Sequence, residues 1–105
     1  MPPALFLLGA ALWLAPAAAS DPAAGRAKAA ACAVCHGQAG LSTLPNAPHL
    51  AGQPAIYVEE QLRNYRSGSR RHEVMNVVAR PLSDGDIADL AAWYASIRVE
   101  VSPPP

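Results

Sequence analysis

The sequence predicts an all-α domain, three to four short helices joined by long loops, and three observations carry that prediction. Apolar side chains recur at helical spacing in two stretches, Val58-Leu62-Tyr65 and Ile87-Leu90-Ala91-Tyr94-Ile97, and no stretch alternates convincingly as a strand would. Helix-starting and helix-stopping residues stand at the edges of those stretches. Large apolar side chains are few, with aromatics at 6% of the chain, so the helices alone cannot build a full core and something else must complete it.

The N-terminus reads as a secretory signal over residues 1–20. An apolar run from Ala4 to Ala15 is followed by Pro16 and the small residues Ala17-Ala18-Ala19-Ser20, which suits cleavage after Ala19 or Ser20. The run is short of the roughly 20 apolar residues that a membrane span requires. No Lys or Arg precedes it, and an uncleaved anchor is the rival reading. Either way, the folded part is expected outside the cytoplasm.

Processing would leave about 85 residues, one domain by length, at 21–99 with a flexible tail at 100–105. Phe6 and Trp13 go with the signal, which leaves Tyr57, Tyr65, Trp93 and Tyr94 as the aromatics. The eight basic and eight acidic residues balance, so neither nucleic-acid binding nor direct attachment to an anionic membrane is expected; a membrane would be met only through partner complexes.

The elements follow in order. Asp21 before Pro22 is an N-cap with proline at the first helical position, opening an Ala-rich helix that runs to Cys35. Gly37, Gly40, Pro45 and Pro48 mark a turn-rich loop. Pro54 opens the second helix, Glu59 and Arg63 pair along it, and Gly68 ends it. Residues 69–82 read as a loop with an apolar patch at Val74–Val78, stopped by Pro81. Ser83 with Asp86 three residues on starts the third helix in the manner of a capping box, and this helix should pack against the first. Pro103-Pro104-Pro105 cannot continue a helix.

The chemistry lies at Cys32-Ala33-Val34-Cys35-His36. Two thiols two residues apart, with an imidazole beside the second, match the signature of covalent c-type haem attachment. The rivals are weaker. A thioredoxin-like couple needs a βαβ context, a zinc site wants two further ligands, and a disulfide across two residues closes almost no loop. Haem would also explain why long loops are tolerated in so small a domain. His36 is then the proximal iron ligand. For a second ligand the candidates are Met75, the sole methionine after processing, and His49 and His72; a methionine filling a core gap is the alternative for Met75. Both histidines read more simply as exposed residues.

Several motifs in order make the processed chain resemble class I c-type cytochromes, especially small bacterial members and the repeated halves of the two-haem bacterial type. They are Gly25, Cys-Ala-Val-Cys-His-Gly, Pro48-His49-Leu50-Ala51-Gly52-Gln53, Tyr57, Gln61-Leu62, Tyr65, Gly68, Arg70, Met75, Leu82-Ser83 and Asp86 through Ser96. The resemblance implies a cytochrome c fold wrapped around one covalent haem c, with thioethers at Cys32 and Cys35, axial ligation by His36 and Met75, and the Pro48 carbonyl accepting from the second nitrogen of His36. It also implies that Gly25 lets the first helix cross closely over Trp93 or Tyr94. His49 departs from the family pattern, and a single motif rules out the two-haem form within this chain.

The expected function is that of a periplasmic bacterial carrier of one electron, with a redox protein as donor and another as acceptor, and no enzyme activity of its own. The alternative is a haem subunit of a dehydrogenase or oxidase complex. The cluster Arg63, Arg66, Arg70 and Arg71 is either a docking patch for an acidic partner or a solvated basic face.

Overall fold

Helix α1 (Pro22–Lys28) begins where the sequence says it should, with the Asp21 carboxylate accepting from the Ala23 N–H at 2.9 Å and proline in the first turn. The structure, a computed structural model, describes residues 1–13 and 20–105. The expected cleavage site at Ala19 therefore lies outside the described residues, and residues 1–13 carry no regular structure. Among the described residues no helix is long and apolar enough to cross a membrane.

The remaining helices are α2 (Ala30–His36), α3 (Ala55–Ser67), α4 (Met75–Ala79) and α5 (Asp84–Ser96). The architecture is all-α as expected, in five helical segments. Two of these divide what the sequence presents as one helix, because Ala29 adopts ψ −8°. That torsion lies near the bridge region, and the backbone tightens there: Cys32 N–H donates to the Ala29 carbonyl three residues back. Ala29 itself is buried in the core with Leu90 and Tyr94. The break thus redirects the chain between the segment that crosses α5 and the segment that carries the cysteines.

The crossing of α1 over α5 is as tight as the sequence implied. A Cβ on Gly25 would lie 1.9 Å from the Asp89 carbonyl oxygen and 2.8 Å from Trp93 Cβ, so only glycine fits, and the aromatic crossed is Trp93. Around this contact Lys28 Nζ reaches Asp89 at 2.6 Å and Asp86 at 3.0 Å, and the Asp21 N–H donates to Asp89 at 2.8 Å. The guanidinium of Arg26 lies 5.5 Å from the Trp93 ring centroid.

On α5 the predicted stripe is the buried one: Ile87, Leu90, Ala91 and Tyr94 face inward. The capping box is complete, with Ser83 Oγ accepting from the Asp86 N–H and the Asp86 carboxylate accepting from the Ser83 N–H, both at 3.0 Å. Helix α3 ends at Gly68, whose φ of +86° is left-handed. Beyond Ile97 the chain is irregular, with Val99 lying against Gly52 and residues 98–105 exposed.

Helix α4 stands where the sequence reading had a loop. The apolar patch Val74–Val78 coils into one turn and a half, and Ala79 is fully buried at its end. Periodicity cannot reveal so short an element, since five residues hold barely more than one period.

Candidate functional site

The helix break and the loops between α2 and α3 and between α3 and α4 leave a cavity of about 390 Å³, a size suited to a bound organic group. Its walls come from every part of the fold except α1. Cys32, Cys35 and His36 enter from α2, Pro48 and Leu50 from the following loop, Val58, Leu62 and Tyr65 from α3, Met75 and Val78 from α4, and Leu90 and Tyr94 from α5. Cys32, Cys35, His36, Pro48 and Met75 all line this one space, and so do His49 and His72, the other candidate ligands.

His36 is the best anchored of them. It is buried to 9% exposure at the end of α2, and Nδ1 lies 2.9 Å from the Pro48 carbonyl oxygen. A carbonyl can only accept, so Nδ1 carries the proton and Nε2 is left with its lone pair, the form a metal-binding imidazole takes. The Pro48 loop is itself fixed. The Gly40 carbonyl accepts from the Leu50 and Ala51 N–H groups, and the Gly52 N–H donates to the Tyr94 carbonyl on α5 at 2.9 Å.

The two thiols differ in setting. Cys35 is exposed, whereas Cys32 is partly buried against the core beside the Tyr94 hydroxyl. Burial pushes the Cys32 thiol pKa up, with the Tyr94 hydroxyl acting weakly in the opposite sense, and burial likewise raises that of Tyr94. Among the described residues no three His, Cys, Asp or Glu side chains converge as a metal cage. The donors that line the cavity are three imidazoles (His36, His49 and His72), a thioether and two thiols, in a mainly apolar space that Asn46, Gln53, Gln61 and Arg70 also border, and of the imidazoles only His36 is buried. That set fits a porphyrin iron held covalently better than it fits zinc.

His49 and His72 are both exposed, as the sequence suggested, yet each has a defined task. His49 Nδ1 accepts from the Ser42 N–H at 2.9 Å and closes the loop after α2. His72 Nδ1 accepts from the N–H groups of both Val74 and Met75, at 3.2 Å each. The sequence weighs His72 as a candidate ligand and otherwise as an exposed residue, and its bonds to the N–H groups that open α4 are not legible there.

The arginine cluster does not form one open patch. Arg63 pairs with Glu59 at 3.8 Å, Arg66 reaches Asp84 at 2.6 Å and the Leu82 carbonyl at 3.0 Å, and Arg70 donates to Gln61 at 2.6 Å while stacking on Tyr65. Arg71 makes no ion pair among the described residues. With Arg80, which the sequence reading left out of the cluster, it borders an open groove of about 670 Å³ beside His72 that Arg66 and Glu73 also line.

Comparison with known proteins agrees with this geometry. The family model described as Cytochrome c matches residues 22–98. Cytochrome c4 of Pseudomonas aeruginosa is 46% identical over 84 residues, covering 80% of this chain and 42% of that protein. Cytochrome c-554(548) of Halomonas halodenitrificans is 44% identical over 81 residues, covering 74% of this chain and 98% of that protein. Among solved structures, reduced recombinant cytochrome c4 from Pseudomonas stutzeri superposes with a TM-score of 0.73 at 39% identity, over 79% of this chain and 48% of the other. The chain thus spans about half or less of the length of the cytochrome c4 relatives it matches.

Proposed function

The chain belongs to the cytochrome c family, and on that premise we propose that it is a bacterial periplasmic electron carrier that holds one electron on a single covalent haem c. In this reading Cys32 and Cys35 form the thioethers, His36 is the proximal ligand and Met75 the distal one. Residues 1–20 are an export signal, removed after Ala19 or Ser20. When bound, the haem supplies the one-electron iron couple.

The observation that carries the reading is the 2.9 Å contact between His36 Nδ1 and the Pro48 carbonyl at the wall of the cavity that the Cys pair and Met75 also line. The chain's residues have three tasks around the iron. Pro48 holds the imidazole in one tautomer and makes Nε2 a stronger donor. Met75 contributes a soft, neutral thioether, which favours the reduced state relative to a second imidazole. Leu50, Val58, Leu62 and Leu90 keep the surroundings apolar, which penalises the added charge of the oxidised centre. With His36 and Met75 both holding the group, small molecules would be kept from the metal.

Arg71 and Arg80 border the groove on which a donor or acceptor with an acidic surface would dock, while Arg63, Arg66 and Arg70 are held by their own chain. If so, the electron-transfer rate with the physiological partner falls as ionic strength rises.

The test is to express the full chain in a bacterium able to attach c-type haem and to measure its intact mass and its visible spectra in both oxidation states. A mass increased by one haem and reduced by residues 1–20, with a low-spin spectrum, is expected. Met75→His should then lower the midpoint potential. A product without covalent haem would overturn the proposal.

A further inference from the structure

Met75 is the first residue of a five-residue helix that protrudes from the loop between α3 and α5, and so short a helix has little stability of its own. Something else must hold it. Five backbone–side-chain hydrogen bonds meet there. His72 Nδ1 accepts from the N–H groups of Val74 and Met75 at 3.2 Å. In return, the His72 N–H donates to Asn76 Oδ1 at 2.7 Å. Asn76 Nδ2 then donates to the carbonyls of Tyr65 and Arg70, each at 2.8 Å.

This set is unusually well determined. Two N–H groups pointing at Nδ1 require its lone pair to be free, so the ring carries its proton on Nε2. The Asn76 amide has one orientation only, because its NH2 meets two acceptors and its oxygen meets a donor. The contacts also bridge elements. Tyr65 belongs to α3, Arg70 lies just past its end, and Tyr65 packs edge-on to the His72 ring with centroids 6.4 Å apart.

We propose that His72 and Asn76 are positioning residues that clasp α4 to the end of α3 and thereby hold the Met75 thioether at the iron. The proposal rests on Met75 being the distal ligand. Neither residue touches the iron; each acts by making the released form of the 70–76 segment costlier. Without the clasp, Met75 leaves the metal more readily and an external ligand competes better. A side-chain acceptor for the N–H groups that open a helix is worth about 1 kcal/mol, as an N-cap is, so its loss corresponds to an approximately fivefold change.

The experiment compares ferric wild-type holoprotein with the His72→Ala, His72→Asn and Asn76→Asp variants, all with haem attached. Two signals are read: the weak red absorption band of a thioether on ferric iron, and the apparent affinity for cyanide, which must displace Met75. His72→Ala should bind cyanide about fivefold more tightly and weaken the red band. Asn76→Asp is nearly isosteric but sets a carboxylate oxygen against two carbonyls, so it should shift both signals the same way at least as far. His72→Asn retains a capping acceptor and should stay near wild type. The proposal fails if His72→Ala and Asn76→Asp keep wild-type cyanide affinity and band intensity, even should they melt earlier. If His72→Ala does not accumulate, Asn76→Asp set against His72→Asn decides by the same criteria. A wild-type protein that has covalent haem but lacks the red band would instead remove Met75 as ligand, and this proposal with it.

Discussion

Replacing Gly25 by alanine sets two effects of opposite sign against each other. Alanine is the better helix former by about 1 kcal/mol, so local propensity alone says that Gly25→Ala stabilises α1. The structure says otherwise. The new Cβ would meet the Asp89 carbonyl oxygen at 1.9 Å and its carbon at 2.6 Å, where ordinary contact begins near 3.4 Å. These are backbone atoms in the middle of α5, so no rotamer change relieves the clash, and the helices must part by about 1.5 Å. Parting them also stretches the Lys28 ion pairs with Asp86 and Asp89, the Asp21 N–H bond to Asp89, and the stacking of Arg26 on Trp93. Overpacking of this kind costs about 1–3 kcal/mol or more, and with unyielding partners the upper end applies, for a net loss of about 2 kcal/mol after the propensity gain. In a domain of this size that lowers the melting temperature by about 10 °C. Thermal denaturation of the haem-loaded variant, followed by far-ultraviolet circular dichroism, measures it. A variant as stable as wild type, or more so, would show that the crossing is slack and the reasoning wrong.

Other expectations can be checked alongside. Hydrogen bonds from the Ser83 backbone N–H, then from Lys28, and then from the Ser83 hydroxyl hold the Asp86 carboxyl down at about 2, from an ordinary 3.8. Its contribution is therefore complete above the unfolded value, is lost as pH falls through the folded one, and should give acid sensitivity between about pH 4 and 2 that Asp86→Asn flattens in a stability–pH series. Asp84 and Asp89 are shifted in the same direction, by Arg66 and by Lys28 respectively, and steepen the same limb. Replacing Pro48 by glycine loosens the carbonyl that fixes His36 and makes its Nε2 a weaker donor, which stabilises ferric iron less; a higher potential and a slower return of native ligation after acid treatment are expected, measured by redox titration and stopped flow. Changing both Cys32 and Cys35 to alanine should yield a chain that unfolds without a cooperative transition, because the 390 Å³ cavity then lacks its covalent filling. A sharp calorimetric peak from that variant would contradict this.

What the sequence disclosed was whatever depends on local chemistry. The Cys-x-x-Cys-His spacing, the Asp21 and Ser83 caps, the Gly68 stop and the stripe on α5 are each decided by neighbours within one or two helical turns, and each is found where expected. The closeness of Gly25 to the last helix came through family likeness rather than through pattern. Features that depend on tertiary placement stayed hidden. The break at Ala29 has no proline or glycine to announce it and follows from burial of that alanine beside Leu90 and Tyr94. Helix α4 is too short for its period to register. The arginines looked like one patch because sequence shows charge but not partners, and Asp84, which neutralises Arg66, lies 18 residues further on. His72 is exposed as its sequence context suggests, but sequence does not show that its ring accepts from the Val74 and Met75 N–H groups.

The site and the core are built from the same side chains, and that links folding to ligand orientation. Leu90 and Tyr94 are all but fully buried, they form the central cluster with Ala29, and they also line the cavity. Tyr94 goes further: its carbonyl accepts from the Gly52 N–H, and its ring packs against Gly40, where a Cβ would lie 3.0 Å from the ring. Those two glycines, at φ +72° each, bracket the loop that carries Pro48. The orientation of His36 is therefore set by a relay of rigid contacts, from α5 through Tyr94 to the ends of the loop, and from its proline carbonyl to the imidazole. A loop of this length would ordinarily be the softest part of so small a domain. Pinned at both ends to the best-buried helix, it instead passes the stability of the core on to the one side chain whose orientation the iron requires.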